Sequence, residues 1–320
     1  MRNLLLRLVL PFMLTAVTSA ATGPLDSWRV RAPGWVGSIL GTVKREGGIY
    51  VTMGTDGVLL TSPDGFAWSS VASGTDQWLD SFAYGKGLYV VIGDVGTIVT
   101  SSNGFDWTAQ DPISGNELHA LLFTNGQFVA VGQVGTILNS SDGVNWMVSS
   151  TDSGLTLFDV AYGNSRYVAV GKGGAIVTSD DGLTWTTSAS PLAEGWTSIR
   201  AGPEGFLAVG ADGDVIQSAN GINWQVQASL PYDLQGLAEG NGRRVAVGAG
   251  GIIGGARMDR GGAREAEVGC NIGDAFQGEG VGAVGLEHLA AVAQERGVAK
   301  FVADVLPQNR KMIQVFNDAG

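Results

Sequence analysis

Apolar and polar residues alternate with a period of two through most of residues 28–254, in short runs that stop at Gly, Asn or Asp. One stretch shows the rule. FDVAYG (158–163) alternates and breaks at Gly163-Asn164, RYVAVG (166–171) alternates again, AIVTS (175–179) makes a third run and LTWTTSA (183–189) a fourth. Runs rich in β-branched and aromatic residues, punctuated by turn formers, predict antiparallel hairpins. Between residues 28 and 254 no window carries the 3.6-residue period of a helix.

The same four-run unit recurs. Trp68, Trp107, Trp146, Trp185 and Trp224 follow one another at a constant step of 39 residues, each closing a motif: SPDGFAW, SSNGFDW, SSDGVNW, SDDGLTW and SANGINW. Upstream, GIYVTMG, GLYVVIG, GQFVAVG, SRYVAVG and EGFLAVG end at Gly54, Gly93, Gly132, Gly171 and Gly210 with the same step, and a sixth copy, RRVAVG, ends at Gly248. A four-stranded unit of about 40 residues repeated in this way predicts a β-propeller. The sixth unit lacks its Trp motif, whereas LDSWRV (25–30) has a Trp in the repeated place ahead of the first unit. Expected, therefore, is a mostly β chain with a six-bladed propeller over residues 25–254, residues 25–32 supplying the last blade's fourth strand.

Within each motif the Asp or Asn (Asp64, Asn103, Asp142, Asp180 or Asp181, Asn220) is placed to cap the turn while the next glycine takes positive φ. The tryptophan offers an apolar face to the adjacent blade. Repetition in every unit reads as scaffold rather than as a calcium or sugar site. The motif resembles the Asp-box of bacterial propellers, as in sialidase-type repeats and propellers similar to photosystem II assembly factors. A sialidase-like activity would require an arginine cluster, a tyrosine nucleophile with its glutamate, and long loops between strands. The constant 39-residue step leaves no room for such loops. Trp35, Trp78 and Trp196 lie outside the repeated place and are candidates either for a surface that binds a protein or glycan partner or for covers over blade ends.

Composition narrows the partners. Glycine supplies 50 of 320 residues, and charged residues are 15% against a usual figure of about 25%. Asp and Glu exceed Lys and Arg by 30 to 19, a net charge of -11 that repels phosphate backbones, so nucleic acid is not an expected partner. One cysteine, Cys270, excludes an intrachain disulfide, and with two histidines no zinc cluster is expected. At the amino end Arg2 and Arg7, an apolar stretch over 8–17 and the small residues Thr18-Ser19-Ala20-Ala21 form the pattern of a signal peptide over residues 1–21, implying export to the periplasm or beyond, with no membrane span once it is cleaved.

After residue 254 the rhythm stops. A polar joint (255–263) leads to a strand-like AEVGCNI (266–272), a glycine loop (274–282), a helix-forming LEHLAAVAQER (286–296) closed by Gly297, a strand-like FVADVL (301–306) and a last amphipathic stretch after Pro307. Residues 264–320 thus read as α/β. This segment resembles half of the GNAT fold of N-acetyltransferases, and most closely bacterial protein lysine acetyltransferases. The resemblance implies acetyl-CoA as cofactor, its pyrophosphate held by the Gln277, Gly278, Gly280 and Gly282 loop, Asn309 near the pantetheine arm, and Glu267 as general base. Glu279 departs from the basic residue common in that loop, and Phe316 stands where many members carry a tyrosine acid. Two functions follow: an exported binding scaffold, or a transferase of acetyl to a lysine-like amine, which would place the chain in the cytoplasm.

Overall fold

The computed structural model describes residues 5–10, 13–17, 38–150, 154–240, 243–248, 252–258, 264–270 and 301–305. Six four-stranded antiparallel sheets follow one another along the chain, each a meander whose strands pair in sequence order. Blade 1 is Leu40–Glu46, Ile49–Gly54, Leu59–Ser62 and Ser69–Val71. Blades 2 to 5 repeat it, beginning at Leu79, Leu118, Leu157 and Trp196. Each thirty-nine-residue unit is therefore one blade, as the alternation predicts.

Blades 1 to 5 lie in one compact unit, Arg29–Leu230. Their first strands adjoin one another: the amide of Leu121 in blade 3 donates to the Ser81 hydroxyl in blade 2, and Ile199 in blade 5 donates to the Asp159 carboxylate in blade 4. Fourth strands are short and exposed. The core consists of layers between successive blades, such as Val90, Ile92, Leu121, Phe128 and Leu138 between blades 2 and 3. The same aromatic place in the second strand, Tyr50, Tyr89, Phe128, Tyr167 and Phe206, packs edge-on or tilted against the motif tryptophan of its own blade at 6.1–6.5 Å between ring centres. Such contacts add to the apolar area that each ring removes from water.

The motif turn is polar machinery folded on itself. In blade 3 the Ser140 hydroxyl accepts from the amide of Gly143 at 2.8 Å and donates to Asp142. One oxygen of Asp142 accepts from the amides of Val144 and Asn145, and the indole of Trp146 donates to the Gly143 carbonyl. In blade 4 the capping residue is Asp181, not Asp180, which pairs instead with Arg166 at 2.8 Å. These turns spend their oxygens internally, in keeping with a scaffold role.

The second compact unit, Met1–Trp28 with Pro231–Gly320, holds the sixth sheet and a three-stranded sheet. The sixth sheet is Leu234–Gly240, Arg243–Gly248, Ile252–Met258 and Arg264–Cys270. Its fourth place is thus taken by Arg264–Cys270, in a seven-residue antiparallel register from Ile252↔Cys270 to Met258↔Arg264. Sequence reading gave that place to residues 25–32, which lie outside the described residues, and gave 264–270 to the tail. Closing a five-residue connection costs far less chain entropy than recruiting a strand from the other end of the chain. The three-stranded sheet joins Leu5–Leu10 to Met13–Val17 and to Phe301–Val305, so FVADVL is a strand as read. The helices read over 286–296 and after Pro307 lie outside the described residues.

Candidate functional site

The first strand of each of blades 1 to 5 carries a one-residue irregularity at the same place, as does Leu234–Gly240 of the sixth sheet between Leu234 and Gly236. The register shifts between Leu40 and Thr42, Leu79 and Ser81, Leu118 and Ala120, Leu157 and Asp159, and Trp196 and Ser198. The bulged residues are Gly41, Asp80, His119, Phe158 and Thr197. A bulge re-aims its side chain out of the pleat, which is why bulges recur beside functional sites. Here the backbone device repeats while the side chain changes from blade to blade. His119 stands in the middle, 3.8 Å from the Asp80 carboxylate and 5.5 Å, ring to ring, from Phe158.

The turn between the second and third strands sits against this row. The amide of Asp94 donates to the Trp78 carbonyl, that of Gln133 to Glu117, and that of Lys172 to Thr156. A methyl group in place of a hydrogen on Gly93 would lie 1.9 Å from the Trp78 carbonyl oxygen, so glycine is required there by close approach of two backbones. The central residue of each turn is left-handed: Asp56, Val95, Val134, Gly173 and Asp212. Gly and Asp tolerate that conformation, whereas Val95 and Val134, with φ 54° each, are β-branched residues for which it costs of order 1–3 kcal/mol. Both are also exposed, at 50% and 58%, and Trp78, whose indole lies over Gly41 of blade 1, is 39% exposed. Neither apolar burial nor backbone preference accounts for valine at these two tips.

Carboxylates crowd the same end of blades 2 and 3. Burial raises the pKa of Asp94, and Asp80 and Glu117 raise it further, while His119 opposes them. On the inner wall, Lys44 donates to the Ser81 hydroxyl and the Phe82 carbonyl. Its burial lowers its pKa, against which Glu46 and Asp159 act. Asp159 is held by Ser198, by the Ile199 amide and by Arg200 at 2.7 Å, which ties blade 4 to blade 5. In blades 1 to 5, Arg166 and Arg200 pair with separate aspartates and Arg45 lies over Tyr50, so these three arginines do not form a cluster of the sialidase kind. Among the described residues no group of three or more His, Cys, Asp and Glu could hold a metal ion, and no helix is long and apolar enough to cross a membrane.

The sequence-derived candidates fare unevenly. Trp196 is fully buried, its indole on Ser190, and is core rather than surface; Trp78 is exposed; Trp35 lies outside the described residues. Glu267 stands on the fourth strand of the sixth sheet, opposite Gly255. Gln277, Gly278, Gly280, Gly282 and Asn309 lie outside the described residues. Sequence reasoning missed the bulge row and the two strained valines. Both were detectable by stacking the repeats in register, where Asp80, His119 and Phe158 share a column and Val95 and Val134 replace the Asp or Gly of their neighbours.

No protein-family model matches the chain, and no curated protein does. Solved structures do. YCF48 bound to D1 peptide is 18% identical with a TM-score of 0.57, covering 72% of this chain and 81% of that one, and YCF48 from Cyanidioschyzon merolae is 18% identical with a TM-score of 0.56, covering 72% and 87%. The WD40 domain of Neurospora crassa Pan2 is 13% identical with a TM-score of 0.53, covering 65% of this chain and 71% of that one. At such identities the likeness is one of fold, and the fold is that of a β-propeller.

Proposed function

We propose that the chain is an exported β-propeller scaffold that binds a protein partner on the end of blades 2 and 3. The observation that carries this reading is the contrast between a backbone repeated at constant step and a row of bulged side chains that differ in each of blades 1 to 5, with valine at the turn tips of blades 2 and 3 where the others carry Asp or Gly. A scaffold conserves its frame and varies what it displays. The YCF48 structure bound to a peptide is a precedent within the same fold. Six blades form the ring in this reading, the last completed by Arg264–Cys270 or by residues 25–32, and residues 1–21 direct export. The test is chemical cross-linking of the full chain in its native compartment, followed by identification of the joined peptides. A protein joined reproducibly through the end of blades 2 and 3 supports the reading. Absence of any joined protein above a control propeller overturns it.

A second reading keeps the GNAT-like tail as an acetyl-CoA site, favoured by the loop of Gln277, Gly278, Gly280 and Gly282 ahead of a helix-forming stretch, since backbone N–H groups at a helix start suit a pyrophosphate. Calorimetric titration of the full chain with acetyl-CoA tests it. Saturable micromolar binding abolished by Gly280→Glu supports the reading, and absence of heat in both proteins removes it.

A further inference from the structure

From the end of blades 2 and 3 we infer a docking surface for a peptide segment of a partner protein in which lysine or arginine alternates with large apolar side chains; this rests on the scaffold reading and adds its contacting residues and ligand chemistry. Trp78, Val95 and Val134 form the apolar part. The Asp94 amide on the Trp78 carbonyl ties the Val95 turn to the backbone of Trp78, whose indole lies over the bulged Gly41 of blade 1, and the Gln133 amide on the Glu117 carbonyl with the Gly135 amide on the Leu155 carbonyl sets the Val134 turn on the next blade. Val95 and Val134 are exposed apolar residues at tips where the fold itself would prefer Gly or Asp, and Trp78 is a third exposed apolar side chain, so these side chains are retained for something outside the fold. The partner's charge follows from what surrounds them. Asp80, Asp94 and Glu117 stand together with His119, which lies 3.8 Å from Asp80; burial first and these like charges second disfavour ionised Asp94, and the like-charge part is relieved when a cation arrives.

Charge complementarity therefore selects a cationic peptide, and the apolar trio selects one that also carries leucine-like side chains. Anionic peptides, nucleic acid and anionic lipid surfaces are repelled by the same carboxylates.

The probe is a fluorescein-labelled synthetic peptide alternating lysine and leucine, titrated by anisotropy against the full chain, with a glutamate-for-lysine and a serine-for-leucine peptide as comparisons. The lysine-leucine peptide is expected to bind saturably and the other two at least about tenfold more weakly. Val95→Gly with Val134→Gly is expected to weaken binding about tenfold while leaving the melting temperature equal or higher, because glycine accepts the left-handed turn. Asp80→Asn, Asp94→Asn and Glu117→Gln together are expected to weaken it by a similar factor and to flatten its salt dependence. Equal binding of the glutamate peptide, or affinity unchanged in either variant, overturns the inference. If a partner joined through the end of blades 2 and 3 is captured equally by both variants, the ligand chemistry inferred here is wrong and the scaffold reading stands. If the wild-type chain joins no protein, the scaffold reading falls whatever the peptide does.

Discussion

At the scale of single residues, the motif turn offers an internal control. Asp142 and Asp181 accept two backbone amides each, and their carboxyls lie below the usual range, Asp181 at about 2, with those amide bonds the main cause for Asp181 and the Asn145 side chain and amide for Asp142. Asn103 and Asn220 accept the same pair of amides in their own blades without a charge. Asp181→Asn should accordingly preserve the turn, while Asp181→Ala should cost about 1 kcal/mol by losing the acceptor. The two differ from wild type in pH dependence as well. A carboxyl held below its unfolded value of 3.8 stabilises the fold above that value and loses its contribution as pH falls toward about 2. Thermal melts between pH 4 and 2 should show a steeper fall for wild type than for Asp181→Asn. Parallel curves for the two proteins would mean that the folded carboxyl has an ordinary affinity for protons.

Elements in this chain are joined less by their own ladders than by what crosses between them. Asp159 is the clearest bridge: its carboxylate, on the first strand of blade 4, receives a hydroxyl, an amide and a guanidinium from three consecutive residues of blade 5. Asp159→Ala should destabilise by about 2–3 kcal/mol, since charge-assisted bonds are lost and an amide in the layer is left without its acceptor. Arg200→Ala, removing a partly exposed partner, should cost less, about 1 kcal/mol or under. Urea titrations of the two variants decide it; an equal loss would assign the bridge to the ion pair rather than to the amide. Sequence reading found the strands and their order because period-two alternation and Gly, Asn or Asp breaks are local. It could not find Asp159, whose importance comes from residues forty positions away, nor the burial of Trp196, which depends on a neighbouring blade. The bulge row escaped for a related reason. A single extra residue shifts the alternation by one place within a strand too short to show it alone, and the shift becomes visible only when the units are stacked so that Asp80, His119 and Phe158 share a column.

For the molecule as a whole, the strand that finishes the sixth sheet is Arg264–Cys270 rather than residues 25–32, and the two assignments differ in measurable ways. LDSWRV at 25–30 carries the repeated tryptophan, a strong local likeness, but a signature of that kind reports what a segment resembles and not what it pairs with. Arg264–Cys270 lacks the tryptophan yet follows Ile252–Met258 after five residues, and pairs with it along its full length. With that ladder formed, alternate amides along 264–270 are bonded and should exchange with solvent at rates near those of the adjoining strand Ile252–Met258. Deleting 264–320 would then expose the edge of Ile252–Met258 and lower the melting temperature, whereas deleting 25–32 would leave it nearly unchanged. Exchange of 264–270 at the speed of a free peptide, together with a large loss of stability on deleting 25–32, would move the last strand to the amino end. The tail from 264 onward would then be free to form the α/β unit that its glycine loop resembles, and the acetyl-CoA titration would become the next measurement.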